Sequence, residues 1–216
     1  MGTALVFAGG DPPPPSALDG LPSVDVVIAA DSGLGHALAL GCHVDLVVGD
    51  LDSVAPADLE RAAAAGSVID RHPVAKDATD LELALDAARA RGIDHVVVIG
   101  GYGGRLDHFL ANALALTSPA LASMRVEARV GDAHLVVIRE HAELHGAIGD
   151  LCSLLPLGGS ARGVLTEGLR FPLHSEDLHP GSTRGVSNEL VADCAHVSLT
   201  DGVLLAVFPH ARKAAS

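Results

Sequence analysis

The residues with the clearest chemical potential are acids and glycines that follow short apolar runs. Asp50 and Asp52 sit two apart in Gly49-Asp50-Leu51-Asp52-Ser53, so both carboxylates can face one hard cation. Asp77 and Asp80 are three apart in Lys76-Asp77-Ala78-Thr79-Asp80, where a helix is expected to begin, which brings them near one face. Paired carboxylates suit Mg²⁺, an ion that keeps some waters and takes further ligands from phosphate oxygens. A solvated turn accounts for Asp50 and Asp52 equally well, and helix capping accounts for Asp77 and Asp80. In Gly100-Gly101-Tyr102-Gly103-Gly104-Arg105-Leu106-Asp107, four glycines in five residues let backbone N–H groups approach an anion, and Arg105 adds a bidentate donor. A glycine-rich turn with a surface arginine is the competing reading. The segment is neither a P-loop, since no Gly-Lys-Ser/Thr follows, nor a dinucleotide fingerprint, since Leu106 stands where a third Gly or Ala belongs.

Other constellations carry less. His141 and His145 are spaced four apart, as on a metal-binding helix face, but Ala-Glu-Leu lies between them where a zinc protease has Glu-x-x. They read as surface loop residues. Ser32 lies in Ala30-Asp31-Ser32-Gly33-Leu34, which is not the Gly-x-Ser-x-Gly elbow of a hydrolase. Cys42, Cys152 and Cys194 are odd in number and far apart, so neither a disulfide framework nor a thiolate zinc site is expected.

The elements that must position these residues follow from the apolar pattern. Residues 3–8, 24–30, 44–48 and 95–99 are continuous Val/Ile/Leu/Ala-rich runs, the pattern of strands buried on both faces, and 67–69 is a weaker one. Between them 33–40, 56–65 and 80–90 read as helices, each followed by a glycine: Gly41, Gly66 and Gly92. Alternating strands and helices imply a parallel sheet with helices on both faces, and ligands of such sheets bind beyond the carboxyl ends of the strands. The acids and glycines above stand at those ends. Residues 126–130 and 135–139 read as strands that complete this sheet.

Beyond Glu140 the pattern changes to short strands at 151–155, 163–166, 195–200 and 203–208, with Asp201-Gly202 between the last two as a hairpin signal. The expected organisation is an α/β domain over 1–139 and a small all-β domain over 140–216.

Composition limits the partners. The 216 residues are 49% hydrophobic and 19% charged, which fits a compact fold and excludes disorder. A net charge of −13 repels nucleic acid and anionic lipid. The apolar run from Ala4 to Ala8 is too short for a signal peptide, and no run is long enough to span a bilayer, so a cytoplasmic protein is expected. With four Phe, one Tyr and no Trp, an aromatic in a pocket-like segment is informative.

The ordered set Ala30-Asp31-Ser32-Gly33, Gly49-Asp50-Leu51-Asp52-Ser53, Lys76-Asp77-Ala78-Thr79-Asp80 and Gly103-Gly104-Arg105-Leu106-Asp107-His108 resembles the thiamine pyrophosphokinase family. Ser153-Leu154-Leu155-Pro156-Leu157, Gly168-Leu169-Arg170-Phe171-Pro172-Leu173 and Gly185-Val186-Ser187-Asn188-Glu189 extend the likeness through the second half. The resemblance implies a Rossmann-like three-layer α/β catalytic domain followed by a β-sandwich, and transfer of the diphosphate of ATP to the hydroxyl of thiamine with release of AMP. It implies Mg²⁺ held by Asp50, Asp52, Asp77 and Asp80. ATP contacts are implied at Asp31, Ser32, Gly33, Lys76, Thr79, Gly101, Gly103, Gly104 and Arg105. Arg105, Asp80 and Asp107 would act at the reacting groups, either acid being a possible proton acceptor. Thiamine contacts are implied at His108, Asn112, Phe171, Ser187 and Asn188. Phe171 stands where the family often has Trp or Tyr, keeping the π-face and losing the polar handle. A homodimer with the thiamine site between subunits is implied as well. The rivals are diphosphate transfer to another alcohol, such as a pterin, and a non-catalytic nucleotide- or thiamine-binding protein of the same fold.

Overall fold

A computed structural model describes residues 2–75 and 77–210. The chain divides into two compact units between Gly131 and Asp132, earlier than the boundary after Arg139 suggested by the apolar pattern.

The first unit contains β1 (Thr3–Phe7), β2 (Val26–Ala30), α1 (Gly33–Ala39), β3 (Leu46–Gly49), α2 (Pro56–Ala64), β4 (Val68–Arg71), α3 (Asp80–Ala90), β5 (His95–Ile99), α4 (Leu106–Leu116) and β6 (Arg125–Val130). Its strands pair in parallel in the order β6-β5-β1-β2-β3-β4. Leu5, Phe7, Ala29, Val47, Val97 and Ile99 bury one face of the sheet with Leu34 and Ala37 of α1 and Ala62 of α2. The alternate residues Val6, Ile28 and Val48 are buried on the other face. There α3, which contacts β2 and β3, buries Leu81, Ala84, Leu85 and Ala88. Full burial of a side chain such as Phe7 or Ile99 stabilises the unit by about 1.5–3 kcal/mol.

Local sequence sets the helix boundaries. Pro56 occupies the first turn of α2, where its missing N–H costs nothing. Thr79 caps α3, its Oγ1 accepting the Glu82 N–H at 3.2 Å. Strand order reverses about β1, which lies between β5 and β2. The carboxyl ends of these strands therefore flank a switch-point crevice.

In the second unit β7 (Ala133–Ile138), β8 (His141–His145), β9 (Leu151–Pro156), β10 (Ala161–Glu167), β11 (His174–Leu178), β12 (Asn188–Glu189), β13 (Cys194–Ser198) and β14 (Leu204–Phe208) form two antiparallel sheets, β12-β9-β14-β7 and β11-β10-β13-β8. Leu154, Leu204 and Phe208 of one sheet and Leu144, Val164 and Val197 of the other share one core, making a sandwich.

The run at 135–139 forms β7, which pairs with β14. Two expectations are corrected. Asp201-Gly202 does not close a hairpin, because β13 pairs with β8 and β10 whereas β14 pairs with β7 and β9. The turn carries the chain from one sheet of the sandwich to the other. His141 and His145 are not loop residues but lie on β8.

Candidate active site

At the carboxyl ends of β1, β2, β3 and β5 an open cleft of about 630 Å³ is lined by Gly9, Gly10, Asp31, Ser32, Asp50, Asp52, Ser53, Thr79, Asp80, Gly101, Gly103, Arg105, Asp107, His108 and Asn112, among others. All of these belong to the first unit.

The acids come together through neighbouring strands. Asp31 follows β2 and Asp50 follows β3, and the Asp31 N–H donates to the Val48 carbonyl at 2.9 Å. One carboxylate oxygen from each of Asp31, Asp50 and Asp52 lies within 4.8 Å of the other two. Asp80, at the first position of α3, sits over Gly49: a Cβ there would lie 2.7 Å from Asp80 Oδ1 and 3.2 Å from Asp31 Cβ. Gly49 has φ 144°, so both conformation and space demand glycine. Asp31 and Leu51 adopt φ 46° and 63°, left-handed conformations that cost energy for residues with a Cβ. Asp31 Oδ1 is buried without a hydrogen-bond partner. Burial pushes the Asp31 carboxyl up; the Ser32 N–H partly offsets this, while Asp80, Asp50 and Asp52 add to it. An oxygen-only donor set with mutual repulsion and an orphaned buried oxygen is chemically suited to a hard divalent cation.

Opposite lies the glycine loop. The Gly101 N–H donates to the Gly9 carbonyl at 2.9 Å, and the Asp11 N–H to the Tyr102 carbonyl at 2.6 Å. A Cβ on Gly103 would come within 2.6 Å of Gly10 Cα, so this glycine is required for backbone-to-backbone packing of two loops. Asn112 Nδ2 donates to the Gly101 carbonyl at 2.9 Å and tethers the loop to α4. Arg105 donates from Nε to Asp107 Oδ1 at 2.9 Å and from Nη2 to Oδ2 at 2.6 Å. This bidentate bond holds the Asp107 carboxyl well below the usual carboxylate range.

A second cleft, of about 480 Å³ in the second unit, is lined by Phe171, Ser182, Thr183, Arg184, Gly185, Val186, Ser187 and Asn188. Phe171 is 55% exposed there. Asn188 is buried, its Oδ1 accepting the Phe171 and Glu189 N–H groups at 3.0 and 2.9 Å and its Nδ2 donating to the Phe171 carbonyl at 2.8 Å. Its side chain is thus spent on positioning Phe171. Asn188→Ala is expected to destabilise the protein by about 2–4 kcal/mol, since these backbone groups lose their partner. Chemical denaturation measures this, and a loss below about 0.5 kcal/mol would refute the positioning role.

Most sequence-derived site residues therefore line one of two clefts, with informative exceptions. Asp77 is exposed and does not line the first cleft, because Thr79 caps α3 and leaves Asp77 in the preceding bend. Gly33 is buried, and a Cβ there would strike the Phe7 carbonyl, so it serves the packing of α1 on β1. Gly104 is exposed and is not among the lining residues. Lys76 lies outside the described residues. Asp31, expected at ATP, lines the first cleft with its carboxylate beside those of Asp50 and Asp52. Sequence reasoning missed Ser53, whose hydroxyl donates to Asp52 Oδ1 at 2.9 Å. It also missed Gly9-Gly10, signalled by two glycines directly after the first strand. In the second cleft it missed Arg184, which makes a bidentate pair with Glu176 at 2.9 Å through both bonds.

A parallel sheet whose switch-point crevice gathers carboxylates on one side and an arginine-bearing glycine loop on the other places the chain among α/β enzymes that handle phosphate groups. Comparison with known proteins makes the assignment specific. Residues 20–128 match the thiamin pyrophosphokinase catalytic domain, and residues 134–204 match the thiamin pyrophosphokinase vitamin B1 binding domain. The chain belongs to the thiamin pyrophosphokinase family. Thiamine pyrophosphokinase of Bacillus subtilis (strain 168) is 27% identical over 182 residues, 83% of this chain and 85% of that protein. The crystal structure of thiamine pyrophosphokinase from Bacillus subtilis superposes with a TM-score of 0.83 at 25% identity, covering 98% of this chain and 100% of that one. The fold is shared with thiamin pyrophosphokinase from Geobacillus thermodenitrificans, at a TM-score of 0.80 and 24% identity over 100% of this chain and 99% of that one.

Proposed function

We propose that this chain transfers the diphosphate group of ATP to the hydroxyl of thiamine, yielding thiamine diphosphate and AMP. The observation that carries this reading is the Asp31/Asp50/Asp52 cluster, with its orphaned Asp31 oxygen, in the cleft that also holds Arg105. The family match directs the reading to thiamine rather than to another alcohol.

The donor set fits Mg²⁺, with Asp31, Asp50 and Asp52 as its holders and Asp80 beside them. When bound, Mg²⁺ neutralises phosphate charge and polarises the transferring group. Arg105 binds the phosphates through its planar fork, and Asp107 sets the orientation of that fork. Gly101 and Gly103 fix the loop against Gly9 and Gly10, so its backbone is already arranged when the nucleotide arrives. The thiamine hydroxyl oxygen attacks the β-phosphorus in line, AMP leaves, and the hydroxyl proton passes to a carboxylate. Asp80 is assigned as that acceptor, because Asp107, held strongly acidic by Arg105, is the poorer base. Catalysis then rests on positioning and electrostatics, without a covalent intermediate.

Thiamine recognition is assigned to the second unit, with Phe171 stacking on a ring of the substrate, Ser187 contacting it and Asn188 holding Phe171 in place. His108 and Asn112 complete the contacts from the first unit. The protein acts as a homodimer in which the second unit of one protomer serves the first unit of its partner. Supporting this, Leu106, Leu110 and Leu114 form a stripe along α4 that is 61%, 54% and 55% exposed, an apolar face suited to a second copy. Among the described residues no helix is long and apolar enough to cross a membrane. The three cysteines are free thiols, which fits action in the reducing cytoplasm.

Purified protein given ATP, Mg²⁺ and thiamine should release AMP and thiamine diphosphate in equal amounts, and should sediment as a dimer. No AMP at any thiamine concentration would overturn the activity, and a monomer with full activity would overturn the shared site.

A further inference from the structure

The outward face of one sheet of the second unit carries ligand-type side chains that diphosphate transfer does not use. In the antiparallel pair β8–β13, Cys194 lies opposite His145 and His196 opposite Glu143. Strand alternation turns Leu144, Ala195 and Val197 into the core, which leaves Glu143, His145, Cys194 and His196 together on the other face. One donor atom from each of Glu143, His145 and Cys194 lies within 4.8 Å of the other two. His145 Nε2 is 3.7 Å from Glu143 Oε2, and His196 Nδ1 is 3.9 Å from Glu143 Oε1.

These distances are close to what a tetrahedral ion requires. Bonds of about 2.0–2.3 Å place neighbouring ligand atoms roughly 3.3–3.8 Å apart. The His145–Glu143 separation already meets this, and the Cys194 sulfur lies within 4.8 Å of both donor atoms. The donors are one sulfur, one imidazole nitrogen and one carboxylate oxygen, a mixture that favours Zn²⁺-type ions over Mg²⁺.

We propose that Glu143, His145 and Cys194 form a binding site for a borderline divalent transition-metal ion of the Zn²⁺ class. His196 orients the Glu143 carboxylate from its far side, as the outer partners of metal ligands do. Three protein ligands leave a coordination position for water or a small anion. The ion ties β8 to β13. Because the first unit's cluster offers only oxygen, Mg²⁺ fills that cluster without competing here.

The test is titration of the full chain with Co²⁺ in excess Mg²⁺, read by near-ultraviolet thiolate-to-cobalt absorption. The expected result is a band that saturates at one equivalent and is displaced by Zn²⁺. Cys194→Ser should abolish it, whereas Cys42→Ser should leave it intact. Cys152 contributes nothing, since it is fully buried. Glu143→Gln and His145→Ala should each weaken Co²⁺ binding by tenfold or more, and His196→Ala by about tenfold. Both first-named side chains are exposed, 62% and 68%, so these variants decide the matter even if Cys194→Ser fails to fold. Diphosphate transfer by Cys194→Ser should equal that of the unmodified chain. The absence of a band at millimolar Co²⁺, a band that survives Cys194→Ser, or binding unaffected by both Glu143→Gln and His145→Ala would overturn the proposal.

Discussion

Asp31→Asn and Asp52→Asn are each expected to lower turnover by about 10²–10³-fold without unfolding the protein. Asp31, Asp50 and Asp52 hold three carboxylates within 4.8 Å, with Asp80 adding repulsion from the start of α3. Such an arrangement is costly until a cation occupies it. Removing one charge therefore relieves the metal-free protein while stripping the site of a ligand. For exposed Asp52 the metal-free melting temperature should change by less than about 2 °C. Asp31→Asn should raise it, because an amide removes the buried charge and supplies donors to the neighbouring oxygens. Activity and stability then move in opposite directions, the signature of a functional site held under strain. Calorimetry of the metal-free variants together with an AMP-release assay checks both halves. If Asp31→Asn instead melts well below the unmodified chain, the carboxylate is structural and the cation assignment fails.

The second large effect is expected at Arg105. Arg105→Gln should reduce kcat/KM for ATP by about 10²–10³-fold, since a planar two-point phosphate donor is lost. Asp107→Asn should cost only about tenfold if Asp107 orients the guanidinium. A loss of 10³-fold or more would make Asp107 the proton acceptor and displace Asp80 from that role. The pair also has a pH signature. The hydrogen bond from Arg105, the leading cause, depresses the Asp107 carboxyl below its ordinary 3.8. A depressed acid contributes stability that is present above 3.8 and is lost as pH falls through the lowered value. Both side chains are about two-thirds exposed, so that contribution is small. Carbon-13 NMR should find the Asp107 carboxyl still ionised at pH 3.8 in the unmodified chain and half-titrated near 3.8 in Arg105→Gln. Titration near 3.8 in both would show that the pair does not persist in solution.

Parts of the architecture were legible because burial leaves a local trace. β1, β2, β3 and β5 are buried on both faces and read as unbroken apolar runs, and α1 to α3 end at glycines. α4 escaped because Leu106, Leu110 and Leu114 point outward, leaving no polar stripe to reveal a helical period. β8 escaped because only Leu144 of its five residues is fully buried. Asp201-Gly202 marked a break between two strands but could not say that the next strand joins the other sheet. Turn chemistry is local, whereas strand partnership depends on distant sequence.

The site divides in the same way. The sequence by itself determined which residue types were present and in what spacing: Asp50 with Asp52, Arg105 with its glycines, Phe171 as one of five aromatic rings. Those facts, in family order, were enough to indicate diphosphate transfer. Only the tertiary structure decided which acids share a site. Asp31 joins Asp50 and Asp52 because β2 pairs with β3 in parallel, and Asp80 approaches because Gly49 makes room for it. Asp77, nearer to Asp80 in the chain, does not line that cleft. Likewise Asn188 is committed to Phe171, 17 residues away. The physical reason is range: helix and strand periodicity is set over a few residues, but a carboxylate's neighbours and a buried amide's partners are set by strand order and packing.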